Sequence, residues 1–122
     1  MSIMAEAKNV VSGSITLDAD ARYIYLPTIS FTPKMAYVML REMPSSQTSY
    51  RTFYALYTFG HTDGISWTGN TPNKYYTLDG YYGQSGGRTV YQDIILTTTP
   101  VFPARSNSIP WCAGTYDYII AG

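Results

Sequence analysis

Apolar and polar residues alternate with a period of two along most of this chain, and helical periodicity is almost absent. Over residues 11–17, Val11, Ile15 and Leu17 share one side with Gly13, whereas serine and threonine occupy the other. Successive side chains of a β-strand point to opposite faces, so this alternation predicts a half-buried first strand. Similar patterns predict further strands over residues 22–26, 35–43, 50–59, 65–67, 75–82, 89–97 and 115–121.

Turn-forming residues separate these predicted strands. Asp18-Ala-Asp20, Pro44-Ser-Ser-Gln-Thr48 and His61-Thr-Asp63-Gly64 favour turns, and residues 68–74 and 100–110 read as connecting loops. Short strands at this spacing are typical of a sandwich or barrel. We therefore expect an all-β chain, a single antiparallel β-sandwich of about six to eight short strands. It spans residues 11–122, and residues 1–10 form an N-terminal attachment arm.

Tyrosine is strongly enriched, at thirteen of 122 residues, roughly threefold above average usage. Its ring suits a half-buried strand and its hydroxyl tolerates water, so such strands favour recognition surfaces and subunit contacts. Charged residues make up only 13% of the chain, with eight acidic and eight basic side chains. This balance disfavours nucleic acid and anionic membranes as partners, and it favours a homo-oligomer that hides part of its surface.

Targeting signals are not evident in the sequence. Residues 1–8 lack a basic region followed by an apolar stretch, so no secretory signal peptide is predicted. No apolar run approaches the roughly 20 residues that a membrane-spanning helix requires. We expect the chain to be made in a cytoplasm without membrane insertion.

Catalytic and metal chemistry find little support in the residue types present. His61 and Cys112 are the only residues of their kinds, and a zinc site requires three or four such ligands. Cys112, beside Trp111, is predicted to be a buried small hydrophobe. Asp93 and Asp117 are predicted to form strand-face ion pairs, with Arg88 or Arg105 as the candidate partners, or subunit contacts, rather than a catalytic dyad. We predict no enzymatic activity, no catalytic residue, no metal and no cofactor, and a hydrolase is disfavoured.

One region combines aromatic rings with amide and guanidinium donors, a combination that suits sugar rings or a protein epitope. The structural interpretation, in which the same aromatic residues fill a sandwich core or a subunit interface, is favoured over ligand binding. The candidate ligand-binding residues are Trp67, Asn70, Tyr75, Tyr76, Tyr81, Tyr82 and Arg88.

Two segments carry a family resemblance. The first is Ile29-Ser-Phe31-Thr-Pro33-Lys34, which leads into Met-Ala-Tyr-Val-Met-Leu, and the second is Gly-Thr-Tyr116-Asp-Tyr118-Ile-Ile-Ala-Gly122. Together they resemble the small β-sandwich modules at the tips of bacteriophage tail fibres and related virion proteins. In that family an F-x-P-K turn precedes a central strand and a Y-x-Y-I-A-x-G-like strand ends the chain. The layout is also similar to H-type lectins, six-stranded sandwiches that trimerise and bind sugars.

This chain departs from the resemblance in three ways. Only about ten residues precede the first predicted strand, where fibre proteins carry a long shaft. The final motif reads Ile-Ile-Ala121-Gly122, which is not a full copy of the pattern. No sugar-binding residue carries over, because the loop motifs do not align.

The resemblance implies a non-enzymatic virion structural protein, a tail-fibre, baseplate or capsid-decoration component that contributes to host-surface attachment. Its expected partners are copies of itself, as a trimer, and other virion proteins. The alternative is a lectin-like module that recognises cell-surface glycans. The expected core comprises Val38, Leu40, Phe53, Ala55, Ile94, Leu96 and Ile119.

Overall fold

Extended backbone accounts for all the regular secondary structure that the computed structural model describes, in residues 9–59, 73–92 and 96–122. Eight strands occur there, and no helix does. They are β1 (Val10–Leu17), β2 (Tyr23–Tyr25), β3 (Met35–Leu40), β4 (Arg51–Phe59), β5 (Asn73–Tyr81), β6 (Gln84–Gln92), β7 (Val101–Pro103) and β8 (Gly114–Ala121).

Six of these strands form one antiparallel sheet in the order β1-β8-β3-β4-β5-β6, and β2 pairs with β7 in a second, smaller sheet. Strands β3 to β6 follow each other as a meander, whereas β8 inserts between β1 and β3. The two sheets enclose the buried core. The predicted fold class, an all-β antiparallel sandwich of about six to eight strands, is confirmed.

Alternation along the central strands decides which side chains enter the core. On β3, Ala36, Val38 and Leu40 are buried, and the residues between them point to the other face. On β8 the buried residues are Tyr116, Tyr118 and Ile120. Burying each large side chain contributes about 1.5–3 kcal/mol, which strongly fixes the strand register, since a one-residue slip would expose them all.

Hydrogen bonds hold the segment around β7 against the inner face of the large sheet, the face that points toward the small sheet. The Tyr75 ring stacks on Phe102 with centroids 5.3 Å apart, and its hydroxyl donates to the Pro103 carbonyl. Trp111 Nε1 donates to the Phe102 carbonyl at 2.9 Å. Thr52 Oγ1 donates to the carbonyl of Ile109 at 2.7 Å. These bonds connect the large sheet and Trp111 to backbone carbonyls of β7 and of the segment that follows it.

A β-bulge in β4 changes the phase of the pattern. Thr52 pairs with Asp79 and Tyr54 with Leu78, so Phe53 is the extra residue. Thr52, Ala55 and Tyr57 are buried, whereas Phe53 is half-buried at the margin of the core. Simple alternation places Phe53 in the core with Ala55, and the bulge moves it out of that phase.

Other sequence predictions differ from the structure in detail. Ile119, expected in the core, is half-buried on the face opposite Tyr118 and Ile120. Strand β6 covers Gln84–Gln92 where residues 89–97 were expected, and β7 lies within the predicted loop. Leu96 is buried as expected. Ile94, Asp93, the predicted strand 65–67 and residues 1–8 of the arm lie outside the described residues.

Candidate functional site

The face of the large sheet that points away from the small sheet is rich in apolar and aromatic side chains. We call it the outer face and define it by two rows of neighbouring residues across the strands. In the described part of the chain the second sheet lies on the opposite side, so neither sheet covers these rows. One row is Ile119, Tyr37, Leu56 and Tyr76, and the other is Met39, Tyr54 and Leu78.

The tyrosines of the outer face contact one another. The rings of Tyr37 and Tyr54 stack with centroids 6.4 Å apart at an angle of 25°. Burial, and then the proximity of Tyr76 and Tyr37, raises the pKa of the Tyr54 phenol above its usual value. Tyr37, Tyr54 and Tyr76, on three adjacent strands, therefore form one cluster in which each ring partly shields its neighbours from water.

An exposed ion pair marks one boundary of the outer face. Arg41 donates from Nε to both oxygens of Asp117 at 3.0 Å, and from Nη2 to Oδ1 at 2.9 Å. These hydrogen bonds lower the pKa of the Asp117 carboxyl. The prediction that Asp117 pairs with Arg88 or Arg105 is wrong, because β3 and β8 are adjacent and bring Arg41 beside it. Ser12 and Ser14 of β1 lie beside Arg41 and Asp117.

A groove of about 260 Å³ opens at the end of the sheet beside this ion pair. Tyr50 and Tyr81 meet there edge to face, with centroids 5.0 Å apart. Tyr50 and Tyr82 are 45% and 54% exposed, so both present ring surface to solvent. Hydrophobic side chains and a few polar ones line the groove: Met39, Leu40, Arg41, Glu42, Met43, Phe53, Tyr81 and Gln84.

The tight turn between β5 and β6 places Tyr81 in the lining of this groove, with Tyr82 next to it in the turn. Tyr81 pairs with Gln84, which leaves Tyr82 and Gly83 as a two-residue connection. Gly83 has a φ of +77°, a conformation that residues with a Cβ rarely adopt. The Tyr82 amide donates to the Gln47 carbonyl at 3.1 Å, which joins the turn to the β3–β4 loop.

The structure separates the predicted ligand-binding residues into different places. Tyr75 is 1% exposed and lies in the core, Tyr76 lies on the outer face, and Tyr81 lines the groove beside Tyr82. Arg88 stands on β6 opposite Leu78. Trp67 and Asn70 lie outside the described residues. Among the candidates that the structure describes, Tyr81 and Tyr82 are adjacent at the turn.

Sequence reasoning did not select several residues that the structure places at these surfaces. Tyr37, Met39 and Tyr54 belong to the outer face, and Tyr50 and Glu42 border the groove. A signal for the first group existed, because Tyr37 and Met39 alternate with core residues on a strand that the sequence identifies. Tyr54 lies beside them because β4 pairs with β3, and the alternation within one strand does not reveal which strands pair.

Metal and thiol chemistry gain no support from the described residues. Within residues 9–59, 73–92 and 96–122, no three His, Cys, Asp or Glu side chains lie close enough to hold a metal ion. Cys112 is buried as expected, and burial raises the pKa of its thiol, which disfavours the reactive thiolate. No helix long and apolar enough to cross a bilayer occurs in the part of the chain that the structure describes.

The two segments that carry the family resemblance are neighbours in space. The Lys34 amide donates to the Ala121 carbonyl at 2.8 Å, and Met35 pairs with Ala121. Gly122 lies so close to Phe31 that a Cβ there would meet the ring at 2.4 Å. Comparison with protein families, curated proteins and solved structures returned no match for this chain. The virion resemblance stays a prediction.

Proposed function

We propose that this protein is a non-enzymatic structural component of a phage virion, assembled as a homotrimer through the outer face of its large sheet. In this proposal it is made in the host cytoplasm, joins other virion proteins, and contributes to host-surface attachment. The observation that carries the proposal is the continuous apolar and aromatic surface of the two rows. The resemblance of the segments around Phe31 and Tyr118 supplies the virion context.

The composition of the outer face matches the core of a subunit interface. The seven residues at its centre are uncharged, with Asp117 and Arg88 at the two ends of the second row. Three of the seven are tyrosines, a residue type enriched in interface cores and energetic hot spots. The Arg41–Asp117 pair supplies a polar rim. Eight acidic and eight basic residues leave no net charge, so copies of the chain do not repel each other at long range.

Light scattering coupled to size exclusion tests this proposal. The wild-type chain at micromolar concentration should have a multiple of its 13.6 kDa mass. Tyr54→Glu places a carboxylate in the centre of the outer face and should lower that mass. Tyr25→Glu is the matched control, since Tyr25 is 66% exposed on the small sheet. A monomeric wild type, or equal effects of both variants, would contradict the proposal.

A lectin-like activity is the second candidate, and the groove is the observation that favours it. Tyr50, Tyr81 and Tyr82 offer ring faces for sugar stacking, and Glu42 and Gln84 offer hydrogen-bonding groups beside them. A glycan array tests this candidate. Any hit should weaken with Tyr81→Ala and persist with Tyr25→Ala, and an empty array would remove the candidate.

A further inference from the structure

Strand β1 presents a free edge in the part of the chain that the structure describes. It ends the order of the large sheet, and only β8 pairs with it. The Gly122 amide donates to the Asn9 carbonyl at 3.0 Å, which identifies Asn9 and Gly122 as a hydrogen-bonded pair. Such pairs alternate along antiparallel strands. Residues 11, 13, 15 and 17 therefore bond to β8, and Val10, Ser12, Ser14 and Thr16 direct their backbone N–H and C=O groups outward.

This edge lacks the devices that usually prevent strands from pairing. Residues 10–17 contain no proline and no charged residue, and all eight register pairs with β8 run without a bulge. The opposite edge, β6, differs on both counts. Its pairing with β5 shifts between Leu78 and Gly80, and it carries Arg88. Of the two edges, β1 is the one suited to accept another strand.

We infer that β1 pairs antiparallel with β1 of a second copy, with Gly13 on the two-fold axis. The four outward-directed residues are centred on Gly13, so this register opposes Ser12 to Ser14 and Val10 to Thr16 of the other copy. Each opposed pair exchanges two hydrogen bonds. No outward-directed backbone group of either strand is then left without a partner. A second copy is the occupant because its own β1 brings an edge that is likewise uncharged, free of proline and regular, and the pairing satisfies both edges at once.

Gly13 suits the position on the axis. There the two strands meet in a non-hydrogen-bonded pair, whose Cα atoms lie only about 4.5 Å apart. A Cβ at Gly13 would lie 2.7 Å from the Tyr118 hydroxyl, so the tyrosine already fills the space on the inner side. Tyr118 is 7% exposed, and its ring covers the glycine on β1. Two such rings would flank the axis on the inner side, with serine hydroxyls on the outer side.

Edge pairing goes beyond the proposed function and does not depend on it. An antiparallel pair about an axis perpendicular to the sheet keeps both outer faces on the same side. The contact through the Tyr37–Tyr54 cluster and the contact through β1 use different atoms, so both can exist in one assembly. Their failures are also separable by experiment.

Disulfide trapping tests the register. In Ser12→Cys/Ser14→Cys, each new thiol opposes one of the other copy across a hydrogen-bonded pair, where a Cα separation of about 5.5 Å suits a disulfide. Mild oxidation should give a covalent dimer on a non-reducing gel. Ser14→Cys/Thr16→Cys is the matched control, because neither thiol opposes another, and it should remain uncrosslinked. No dimer from the first variant, or more dimer from the control, would overturn the inference.

A proline substitution tests the pairing in solution. Ser14 directs its N–H away from β8, so Ser14→Pro keeps the bonds of β1 within the sheet and removes a donor from the edge. This variant should halve the mass in light scattering, and Ser14→Ala should not change it. An unchanged mass for Ser14→Pro would refute the pairing. Tyr54→Glu separates the outer-face contact from the β1 contact. The disulfide-linked dimer of Ser12→Cys/Ser14→Cys should still form when Tyr54→Glu is added.

Discussion

Arg105 donates from Nη1 to Oδ2 of Asp79 at 2.5 Å, and that carboxylate is only 2% exposed. The other carboxylate oxygen accepts the Gly87 amide at 2.9 Å. Asp79 lies on β5 opposite the irregular part of β6, and Arg105 follows β7. One side chain therefore connects both strands of a hairpin to the segment that covers the inner face.

Replacing this carboxylate should destabilise the fold in graded steps. Asp79→Asn keeps an oxygen for Gly87 and loses the charge opposite Arg105, whereas Asp79→Ala loses both bonds. Because the guanidinium is 40% exposed and can be hydrated, we expect about 1–2 kcal/mol for Asn and about 2–4 kcal/mol for Ala. Urea unfolding measures both values. Equal midpoints for Asn, Ala and wild type would contradict this role.

Two buried threonines should respond differently to replacement by valine. Thr52 Oγ1 donates to Ile109 O and accepts the Arg105 amide at 3.0 Å, so Thr52→Val leaves two backbone groups unpaired. We expect a loss of about 2–4 kcal/mol. Thr77 is equally buried, and its hydroxyl has no hydrogen-bond partner among the described residues. Thr77→Val should be neutral or stabilising in the same unfolding assay.

Alkaline pH should unfold the protein through Tyr116. Burial, and then the proximity of Cys112 and Asp20, raises the pKa of this phenol far above its usual value. Its hydroxyl donates to the Cys112 carbonyl at 2.7 Å, a bond that only the neutral phenol makes. A raised folded pKa gives stability that is complete below the unfolded value, about pH 10, and is lost as the pH rises beyond it.

Urea midpoints between pH 8 and pH 12, with phenolate absorbance recorded in parallel, measure this loss. Tyr116→Phe removes the titrating group, so its midpoint should fall less steeply above about pH 10 than that of the wild type, even though it starts lower. Parallel curves for the two proteins would assign the alkaline loss to other groups.

Acid should weaken the contact between Asp20 and Arg51. Although burial opposes it, the Arg51 hydrogen bond at 2.8 Å and the Ala113 amide lower the pKa of this carboxyl. Stability from a lowered pKa is present above the unfolded value, about 4, and is lost as the pH falls through the folded value.

The unfolding midpoint of Asp20→Asn should therefore vary less than that of the wild type between about pH 5 and pH 2. Asp18→Asn, a change at an exposed neighbour, serves as the control and should leave the wild-type slope in place. If Asp20→Asn retains the full acid sensitivity, the contact with Arg51 does not contribute to it.

Strand existence was predictable because burial on one face imposes a period of two. The faces of β2, β3 and most of β8 follow directly from Ile24, Val38 and Tyr116 and their neighbours. The bulge at Phe53 was not predictable, because an extra residue leaves no mark in an apolar sequence. The two-residue turn at Tyr82-Gly83 shortens the connection between the strands predicted at residues 75–82 and 89–97, and so β6 begins at Gln84.

The candidate site was less predictable than the fold, because tyrosine occupies both faces. Tyr75 and Tyr116 are buried with hydroxyls bonded to backbone carbonyls, whereas Tyr37 and Tyr54 lie on the outer face. A tyrosine is stable in the core when its hydroxyl has a hydrogen-bond partner, and it is also stable at the surface. The local sequence pattern therefore does not show which tyrosines are buried. Long-range pairing decides it. The Asp79–Arg105 contact, between residues 26 positions apart, depends on tertiary structure in the same way.

Insertion of β8 between β1 and β3 sets an order of events during folding. The β3–β6 meander forms from neighbouring segments, whereas β1 meets β8 across separations such as the 99 residues between Thr16 and Thr115. Closing so long a loop loses chain entropy before the contacts between β1 and β8 can offset that loss, so β1 should dock last. Its backbone amides should therefore exchange with deuterium first. Slow closure of this kind leaves β8 transiently exposed in each newly made chain.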